Sequence, residues 1–469
     1  MITSSAFSGK SYAVYGLARS GVATVEALLA SGANVMAWDE KEGPREELRW
    51  SRAKSRGART ESEQRPPTWA PGPKPVLSAA AGGVEGLGTN EVGALRIADP
   101  LSTSLYGFSG LVVSPGVPIN RHPIAERARQ AKVPLIGDIE LFAQARAELP
   151  PHKVVGITGT NGKSTTTALV HHILKTAGIP AAMGGNIGLP ILAQDPLPGG
   201  GVYVLELSSY QIDLTQSLDC DVAVLLNVTP DHLDRYDGMD DYAASKARLF
   251  TMQSPEHAAV ITTDDPYTRA ISFSELVRGR RLGVNSVLVK DQSRWPALQG
   301  PHNAQNLAVA VTTCWELGVP DEAIFRGLET YPGLPHRMER VRERDGVLFV
   351  NDSKATNPTS TAPALAAYPA IHWILGGLPK SDDLDPCEPY LGHVRAAYTI
   401  GEAGPMFARL LRPKVEVTEA ETLDRAVGAA ARKAKAGEVV LLSPACASFD
   451  QFRDYEARGE AFRAAVEAL

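Results

Sequence analysis

The chain of 469 residues has little cysteine and no long apolar run, and each absence excludes some classes of protein. Its four cysteines form no C-x-x-C pair, which argues against a disulfide scaffold or a zinc cage and fits a reducing compartment. No apolar run reaches about 18 residues, so we expect no membrane span. The N-terminus also lacks the apolar core of a signal peptide. We therefore expect a cytoplasmic protein.

Charge of either sign is not in marked excess. Lys plus Arg number 47 and Asp plus Glu number 53, for a net charge of −6. This balance does not suggest a nucleic-acid or membrane surface, although a local basic cleft for an anionic small molecule stays compatible with it. The length favours about three domains.

Short aliphatic and β-branched runs alternate with helical patterns along most of the chain. Such runs are typical of buried parallel strands, and between them lie amphipathic stretches such as residues 164–177. The alternation predicts an α/β fold whose parallel sheets are covered on both faces. The predicted strands are 12–15, 35–38, 111–113, 154–158, 202–205, 222–226, 348–350, 373–375 and 439–442.

Two Pro-containing segments, AELPP at 147–151 and YPGLP at 331–335, suggest domain boundaries. They divide the chain into domains 1–148, 149–333 and 334–469. Residues 60–100 are rich first in Pro and then in Gly and Ala, and no third strand of the first domain is visible there. We expect a disordered surface insertion in that region.

The clearest motif is GITGTNGKST at 156–165, where a strand runs into a glycine turn and then a helix. Glycines let backbone N–H groups approach phosphates, and the helix N-terminus adds positive potential. Lys163 would reach the terminal phosphates and the Ser164 hydroxyl would bind Mg²⁺. Strict spacing requires a glycine at position 157, whereas the chain has Ile157, so we predict a variant P-loop.

Two further segments place polar residues after buried strands. Glu206 ends the strand at 202–205, where a carboxylate beside a P-loop can bind Mg²⁺. His232 lies between two acids in NVTPDHLDRY at 227–236. A strand-end acid and a structural histidine are the alternative interpretations. From its helical pattern alone, Lys246 is expected to be a surface lysine.

The first domain carries a weaker glycine motif, YGLARSG at 15–21, with Asp39 ending the next strand. Ala18 replaces the middle glycine of the dinucleotide fingerprint, so the pattern fits a nucleotide diphosphate better than NAD. A purely structural turn is the alternative. In the last domain, the polar loops 351–357 and 443–449 also follow strands, and the residues alone leave their role open.

Together these segments resemble the Mur ligase family of ATP-dependent amino-acid ligases, which build peptidoglycan precursors. The resemblance rests on GITGTNGKST, GNIG at 185–188, ELSS at 206–209, NVTPDHLDRY, HNAQN at 302–306 and PHR at 335–337. The first domain with GDIELF at 137–142, the loop NDSKATN at 351–357 and SPACASFDQFRDYEARGEAF at 443–462 resemble the branch that adds D-glutamate. The resemblance covers nearly the whole chain except about 43–107.

The resemblance implies a Rossmann-like N-terminal domain that binds the UDP-substrate. It implies a central P-loop ATPase-like domain with a parallel or mixed sheet that binds ATP. A Rossmann-like C-terminal domain would bind the amino acid. The implied substrates are UDP-N-acetylmuramoyl-L-alanine and D-glutamate, the implied cofactors are ATP and two Mg²⁺ ions, and a monomer is expected.

Residue roles are also implied by the resemblance alone. The catalytic residues would be Lys163, His232 and a carbamylated Lys246, and the metal ligands would be Ser164, Glu206, His232 and Lys246. ATP would contact Gly159, Thr160, Asn161, Gly162, Lys163, Ser164, Thr165, Asn303, Asn306, Arg337 and Asp352. The UDP-substrate would contact Ser20, Asp39, Gly116, Asn186 and Ser208. D-glutamate would contact Lys354, Thr356, Lys380, Ser448, Phe449 and Tyr455.

Three other functions stay open at this point. Another Mur-type ligase or a folylpolyglutamate ligase would share the P-loop but differ in substrate. An NAD-dependent oxidoreductase would explain residues 16–21 but neither the P-loop nor Glu206. A non-catalytic nucleotide-binding regulator would not need Lys163, Glu206, His232 and Lys246 together.

Overall fold

The computed structural model describes residues 1–40, 93–231, 233–289 and 291–469. The predicted insertion at 60–100 falls outside the described residues as far as residue 92. The chain divides into two compact units: Met1–Leu149 with Pro190–Pro196 and Leu214–Ser217, and the remainder of the chain from Pro150. The three-domain division therefore stays a prediction.

The first unit contains a parallel five-stranded sheet in the order β3-β2-β1-β4-β5. Its helices are α1 (Arg19–Ala30), α2 (Pro123–Ala131) and α3 (Asp138–Ala145). The third strand that the sequence of residues 60–100 does not reveal is β3, which pairs with β2. This strand has only three residues, none fully buried, so it lacks an apolar run. The strands are β1 (Ser11–Tyr15), β2 (Asn34–Trp38), β3 (Leu95–Ile97), β4 (Gly110–Val113) and β5 (Leu135–Ile136).

The second unit begins with a six-stranded, wholly parallel sheet in the order β11-β10-β9-β6-β8-β7. Its strands are β6 (His152–Thr158), β7 (Ala181–Gly185), β8 (Gly201–Glu206), β9 (Val222–Leu225), β10 (Ala258–Thr262) and β11 (Arg280–Val284). Its helices are α4 (Lys163–Thr176), α5 (Ser209–Asp213), α6 (Met239–Thr251), α7 (Pro266–Phe273), α8 (Pro301–Glu316) and α9 (Asp321–Thr330).

A second six-stranded sheet of the same unit has the order β12-β13-β17-β14-β15-β16, and only β12 in it is antiparallel. Its strands are β12 (Glu339–Arg344), β13 (Val347–Asn351), β14 (Ile371–Gly376), β15 (Val394–Ile400), β16 (Val417–Glu421) and β17 (Val439–Leu442). Its helices are α10 (Pro358–Ala366), α11 (Gly404–Leu411), α12 (Leu423–Lys433) and α13 (Tyr455–Glu467).

Burial explains why these segments form parallel sheets. All nine strands predicted from apolar runs are confirmed, and the helix predicted at 164–177 is α4. The apolar face of α4, including Leu169 and Ile173, packs into one core with Val155 and Ile157 of β6. Each such side chain contributes about 1.5–3 kcal/mol when it leaves water. In the described residues, no helix is long and apolar enough to cross a membrane.

Strand order fixes where polar loops meet. Strand β6 lies between β8 and β9, so the loops at their carboxyl ends are neighbours. Ile157 of β6 pairs in register with Glu206 of β8. Ligands of open α/β sheets bind at this edge, which makes it the place to look for a site.

Candidate active site

The glycine turn between β6 and α4 is shaped by two glycines with positive φ. Gly159 has φ +150° and Gly162 has φ +84°. A Cβ on Gly162 would lie 2.2 Å from Oδ1 of Asn306, so no side chain fits there. Gly156, the first glycine of the motif, lies within β6 and not in the loop. A Cβ at this position would lie 2.7 Å from Sγ of Cys220, so a larger residue does not fit. The loop therefore starts at Gly159, and α4 points its N-terminus at the sheet edge.

Two lysines converge on one backbone oxygen of this loop. Lys163 Nζ donates to the carbonyl oxygens of Gly159 at 2.9 Å and Thr160 at 2.7 Å. Lys246 Nζ, from α6, donates to the same Gly159 oxygen at 2.9 Å. Lys246 is only 1% exposed, so the interpretation of a surface lysine was wrong. A helical pattern cannot show which face meets a neighbouring loop.

Burial and neighbouring charges perturb the pKa of both amines. Burial lowers the pKa of Lys163, although the Glu206 carboxylate acts in the opposite direction. Burial, followed by the charge of Lys163, lowers the pKa of Lys246 well below its ordinary value. A desolvated lysine is a readier nucleophile because its neutral form is favoured.

Glu206 ends β8 beside this loop and is 2% exposed. Its Oε1 accepts a hydrogen bond from Asn186 Nδ2 at 2.9 Å, whereas its buried Oε2 has no partner among the described residues. Gly185 allows this approach, because a Cβ there would lie 2.1 Å from the Glu206 carbonyl oxygen. A buried carboxylate oxygen without a donor is costly unless a cation completes it. Glu206 and the nearby Ser164 hydroxyl thus supply the hard oxygen donors that Mg²⁺ prefers.

The other predicted metal ligands are less fully described. His232 lies outside the described residues. Within the described residues, no group of three or more His, Cys, Asp or Glu side chains comes together as a metal site. The loop after β9 is nevertheless tied to the glycine turn, because Thr160 N donates to the Asn227 carbonyl at 2.8 Å and Thr229 N donates to Thr160 Oγ1 at 3.0 Å.

An open cavity of about 800 Å³ adjoins the glycine turn. It brings together several residues predicted to contact ATP: Asn161, Gly162, Thr165, Asn303, Asn306, Arg337 and Asp352. Asn306 is fixed by Thr166 Oγ1, which donates to it at 3.2 Å, and by its own bond to Asn303 Oδ1 at 3.0 Å. The cavity has a mixed polar and apolar lining and lies beside the N-terminus of α4, and both features suit a nucleoside phosphate.

Asp352 lines this cavity and is itself buried. Burial raises its pKa to about 7, although hydrogen bonds from Ser443 Oγ and Met338 N act in the opposite direction. The cavity lining also includes residues without a predicted nucleotide role, among them His302, Tyr331 and Lys354. His302 belongs to the quoted HNAQN motif, so its position before the two asparagines was the available signal. Burial lowers the pKa of His302 to about 4, and its Nδ1 has no partner among the described residues.

Five of the residues predicted to contact D-glutamate lie on loops that follow strands of the last sheet, and the sixth, Tyr455, begins α13. Lys354 Nζ lies 3.7 Å from the ring centre of Tyr455, and Lys380 Nζ donates to Thr356 Oγ1 at 3.4 Å. Burial, followed by Arg337, lowers the pKa of Lys354 to about 8. Ser448 is buried, whereas Phe449 is 69% exposed. The structure thus brings the charges of Lys354 and Lys380 near one another and leaves Phe449 at the surface.

In the first unit, the glycine turn after β1 is built as the motif predicts. Gly16 has φ +93°, and a Cβ on Gly21 would lie 1.9 Å from the Gly16 carbonyl oxygen. Asp39 Oδ2 accepts from Leu17 N at 2.6 Å, so this acid holds the turn itself. Ser20 lines a small cavity of about 180 Å³, and Gly116 has open space around its Cα.

The last two residues predicted to contact the UDP-substrate belong to the second unit and sit around β8. Asn186 bonds Glu206, as described, and Ser208 Oγ exchanges hydrogen bonds with Gln211 at 3.0 and 3.2 Å.

Sequence relatives decide the family. Residues 157–286 match the Mur ligase middle domain, and residues 336–446 match the Mur ligase glutamate ligase domain. A UDP-N-acetylmuramoylalanine–D-glutamate ligase of Novosphingobium aromaticivorans is 59% identical, covering 100% of this chain and 97% of that protein. The chain belongs to the Mur ligase family. The enzyme of the same name from Zymomonas mobilis is 55% identical over the whole of both chains.

Solved structures agree with this Mur ligase fold. The UDP-N-acetylmuramate-alanine ligase MurC of Thermotoga maritima aligns with a TM-score of 0.55 and 15% identity, over 98% of this chain and 99% of that one. MurF ligase from Thermotoga maritima, in complex with ADP, aligns with a TM-score of 0.55 and 19% identity, over 74% of this chain and 92% of that one. At these identities the likeness concerns the fold alone, which confirms the predicted α/β architecture.

Proposed function

We propose that this Mur ligase joins D-glutamate to the alanyl carboxylate of UDP-N-acetylmuramoyl-L-alanine at the expense of ATP, as a step of peptidoglycan precursor synthesis. The observation that carries the proposal is the pairing of β6 with β8, which sets the glycine turn with Lys163 beside the Glu206 carboxylate. The full-length relatives, which carry the name of this activity, support the choice of substrates.

The alanyl carboxylate is a poor electrophile, so it must be activated before an amine can attack it. In the proposed reaction, a carboxylate oxygen of the alanyl group attacks the γ-phosphorus of ATP, the bond to the β-phosphate oxygen breaks, and ADP leaves. The amine of D-glutamate then attacks the carbonyl carbon of the acyl phosphate. Inorganic phosphate leaves as the amide bond forms and the amine gives up its proton. Catalysis of this kind is mostly positioning and charge neutralisation.

In this proposal the central domain, residues 149–333, holds the triphosphate. Lys163 would exchange its carbonyl partners for phosphate oxygens, and the N-terminus of α4 would add positive potential. The loop glycines and Thr160, Asn161, Ser164 and Thr165 would cradle the phosphates. Asn303, Asn306, Arg337 and Asp352, which line the adjoining cavity, would also contact ATP.

A Mg²⁺ ion beside the glycine turn fits this proposal because Glu206 presents a buried oxygen that has no partner among the described residues. Ser164 and Glu206 would hold one ion, and His232 with a carbamylated Lys246 would hold the other. Bound Mg²⁺ supplies charge neutralisation on the phosphoryl group that is transferred. Carbamylation adds CO₂ to the neutral amine of Lys246 and releases a proton, which turns a cation into a carboxylate-like anion.

The remaining domains would bind the two reaction partners. Residues 1–148 would hold the UDP group through Ser20, Asp39 and Gly116, with Asn186 and Ser208 nearer the alanyl end. Residues 334–469 would hold D-glutamate through Lys354, Thr356, Lys380, Ser448, Phe449 and Tyr455. A monomer is part of this proposal. The nucleotide substrates of the proposed reaction and the four buried cysteines, which form no disulfide, support a cytoplasmic location.

An amino-acid panel with an ADP readout tests the function. With UDP-N-acetylmuramoyl-L-alanine and Mg-ATP, we expect ADP release that depends on D-glutamate and not on L-glutamate, meso-diaminopimelate or L-lysine. Lys163→Met should abolish it, whereas Lys175→Met, an exposed lysine on the same helix, should not. ADP release that requires a different amino acid or a folate would contradict the proposal.

A further inference from the structure

Arg458 of α13 is a buried cation beside the last sheet, β12 to β17, of the second unit. It is 1% exposed, and all five N–H groups of its guanidinium have acceptors. Nε donates to Ser353 Oγ at 3.0 Å, and Nη2 donates to the carbonyls of Ser353 at 2.9 Å and Cys446 at 3.0 Å. Nη1 donates to the carbonyls of Ala447 at 3.2 Å and Gly376 at 3.4 Å.

These acceptors come from three different strand ends. Ser353 follows β13, Gly376 ends β14, and Cys446 and Ala447 follow β17. The three strands are adjacent in the sheet, with β17 in the middle. One planar guanidinium therefore ties together three consecutive loops, a geometry that no other side chain can supply.

The site is built tightly around this side chain. Gly377 has φ +131°, and a Cβ there would lie 2.3 Å from the Ala447 carbonyl oxygen and 3.0 Å from Arg458 Nη1. Ser353 Oγ, which accepts from Arg458, also donates a hydrogen bond to the Tyr455 carbonyl oxygen at 2.8 Å. Arg458 bonds no carboxylate among the described residues, so its burial is compensated by neutral oxygens only.

The same three loops carry the residues assigned to D-glutamate. Lys354 and Thr356 follow Ser353, Lys380 follows Gly377, and Ser448 follows Ala447 directly along the chain. A loop that shifts by about 1 Å can cost on the order of a hundredfold in rate when it carries binding groups. The position of each of these groups thus depends on the loop register that Arg458 fixes.

We propose that Arg458 is a positioning residue of the acidic amino-acid pocket: it holds the loops after β13, β14 and β17 in register so that Lys354, Lys380 and Ser448 meet one ligand. Arg458 itself touches no reacting atom. This inference rests on the proposed function, since the pocket is assigned to D-glutamate there.

Steady-state kinetics of Arg458→Gln and Arg458→Lys test the role. We expect Arg458→Gln to raise KM for D-glutamate about tenfold or more and to change KM for ATP by less than about threefold. Arg458→Lys keeps the charge but offers three donors instead of five, so its KM should lie between those of Arg458→Gln and the wild type. Phe462→Leu, a core substitution on the same helix, is the control for a general loss of stability. Equal rises in both KM values, or a rise of the same size in Phe462→Leu, would overturn the proposal.

Amide hydrogen exchange gives a readout that needs no activity. In both Arg458 variants, residues 352–357, 376–380 and 444–449 should exchange faster than in the wild type, whereas the glycine turn at 158–163 should not. Unchanged exchange in the three loops would refute the positioning role even if D-glutamate is the substrate. Faster exchange in the three loops would support the positioning role whether or not the wild-type enzyme uses D-glutamate. Failure of the proposed function would be seen separately, as the absence of D-glutamate-dependent ADP release by the wild type.

Discussion

Arg337 Nη2 donates a hydrogen bond to Ser164 Oγ at 2.8 Å. Ser164 is the second residue of α4, and Arg337 lies in the turn just before β12, so the bond joins the glycine turn to the entry of the last sheet. A guanidinium at this point adds a second fixed cation to a place where phosphate is expected. Ser164 keeps a lone pair and its proton for another partner while it accepts this bond.

Removing this guanidinium should weaken nucleotide binding. We expect Arg337→Met to raise KM for ATP tenfold to about a hundredfold, because a hydrogen bond to a charged group contributes about 1.5–3 kcal/mol. Steady-state ADP release at saturating D-glutamate measures it. Arg340→Met, which removes a partly exposed arginine three residues further on, should leave KM for ATP unchanged. Equal effects of the two substitutions would contradict the assignment of Arg337.

The pocket lysine predicts a pH dependence. Since the pKa of Lys354 is lowered to about 8, its ammonium is present below that pH and is lost above it. We expect KM for D-glutamate to rise as pH increases beyond about 8, by up to about tenfold per pH unit if the charge is required. Arginine stays charged throughout this range, so Lys354→Arg should flatten the rise. The same rise in that variant would assign the titration to another group.

Asp138 should make stability depend on pH. This acid is 5% exposed, its Oδ1 has no partner among the described residues, and burial raises its pKa to about 6 from 3.8. The folded state therefore holds the proton more tightly, and this stabilisation is present below pH 3.8 and lost as pH rises to about 6. Removing the charge avoids a cost of about 3 kcal/mol at neutral pH.

Urea unfolding checks this expectation. The free energy of unfolding of Asp138→Asn relative to the wild type should increase between pH 4.5 and 7.5. Glu126→Gln removes an exposed acid of α2 and controls for surface charge. A relative stability that is the same at both pH values would show that Asp138 does not titrate in this window.

Lys246 should be replaceable only by an anion. If its carbamate is needed, Lys246→Ala should lower kcat by about a hundredfold or more, and added formate or acetate should restore part of the activity by filling the space with a carboxylate. Arg248→Met, at an exposed position of α6, is the matched control. Restoration by alkylamines instead of carboxylates would indicate that Lys246 acts as a cation.

Patterns local in sequence predicted much of this molecule. Each buried parallel strand is a short apolar run, so all nine runs were recognised, and the glycine turn was found because Gly162, Lys163 and Ser164 are consecutive. Strand β3 escaped because three half-exposed residues at a sheet edge leave no such run. The spacing of the glycine motif could not reveal why position 156 is a glycine, because the Cys220 sulfur that excludes a side chain there is distant in sequence.

Contacts distant in sequence could not be predicted in this way. Lys246 and Gly159 are 87 residues apart, and Arg458 and Ser353 are 105 apart. A lysine or arginine on a helix looks the same in sequence whether it faces water or a neighbouring loop. Only the folded arrangement shows that Lys246 shares an oxygen with Lys163 and that Arg458 joins three strand ends.

The antiparallel strand β12 has a consequence for self-association. Its sequence, ERVRER, carries five charged side chains in six residues and forms the outer edge of the last sheet. Unpaired backbone groups on an edge strand can pair with a strand from another molecule, and charged side chains on that strand make such pairing unfavourable. The reversed strand thus acts as a charged border that discourages sheet-to-sheet aggregation at high protein concentration.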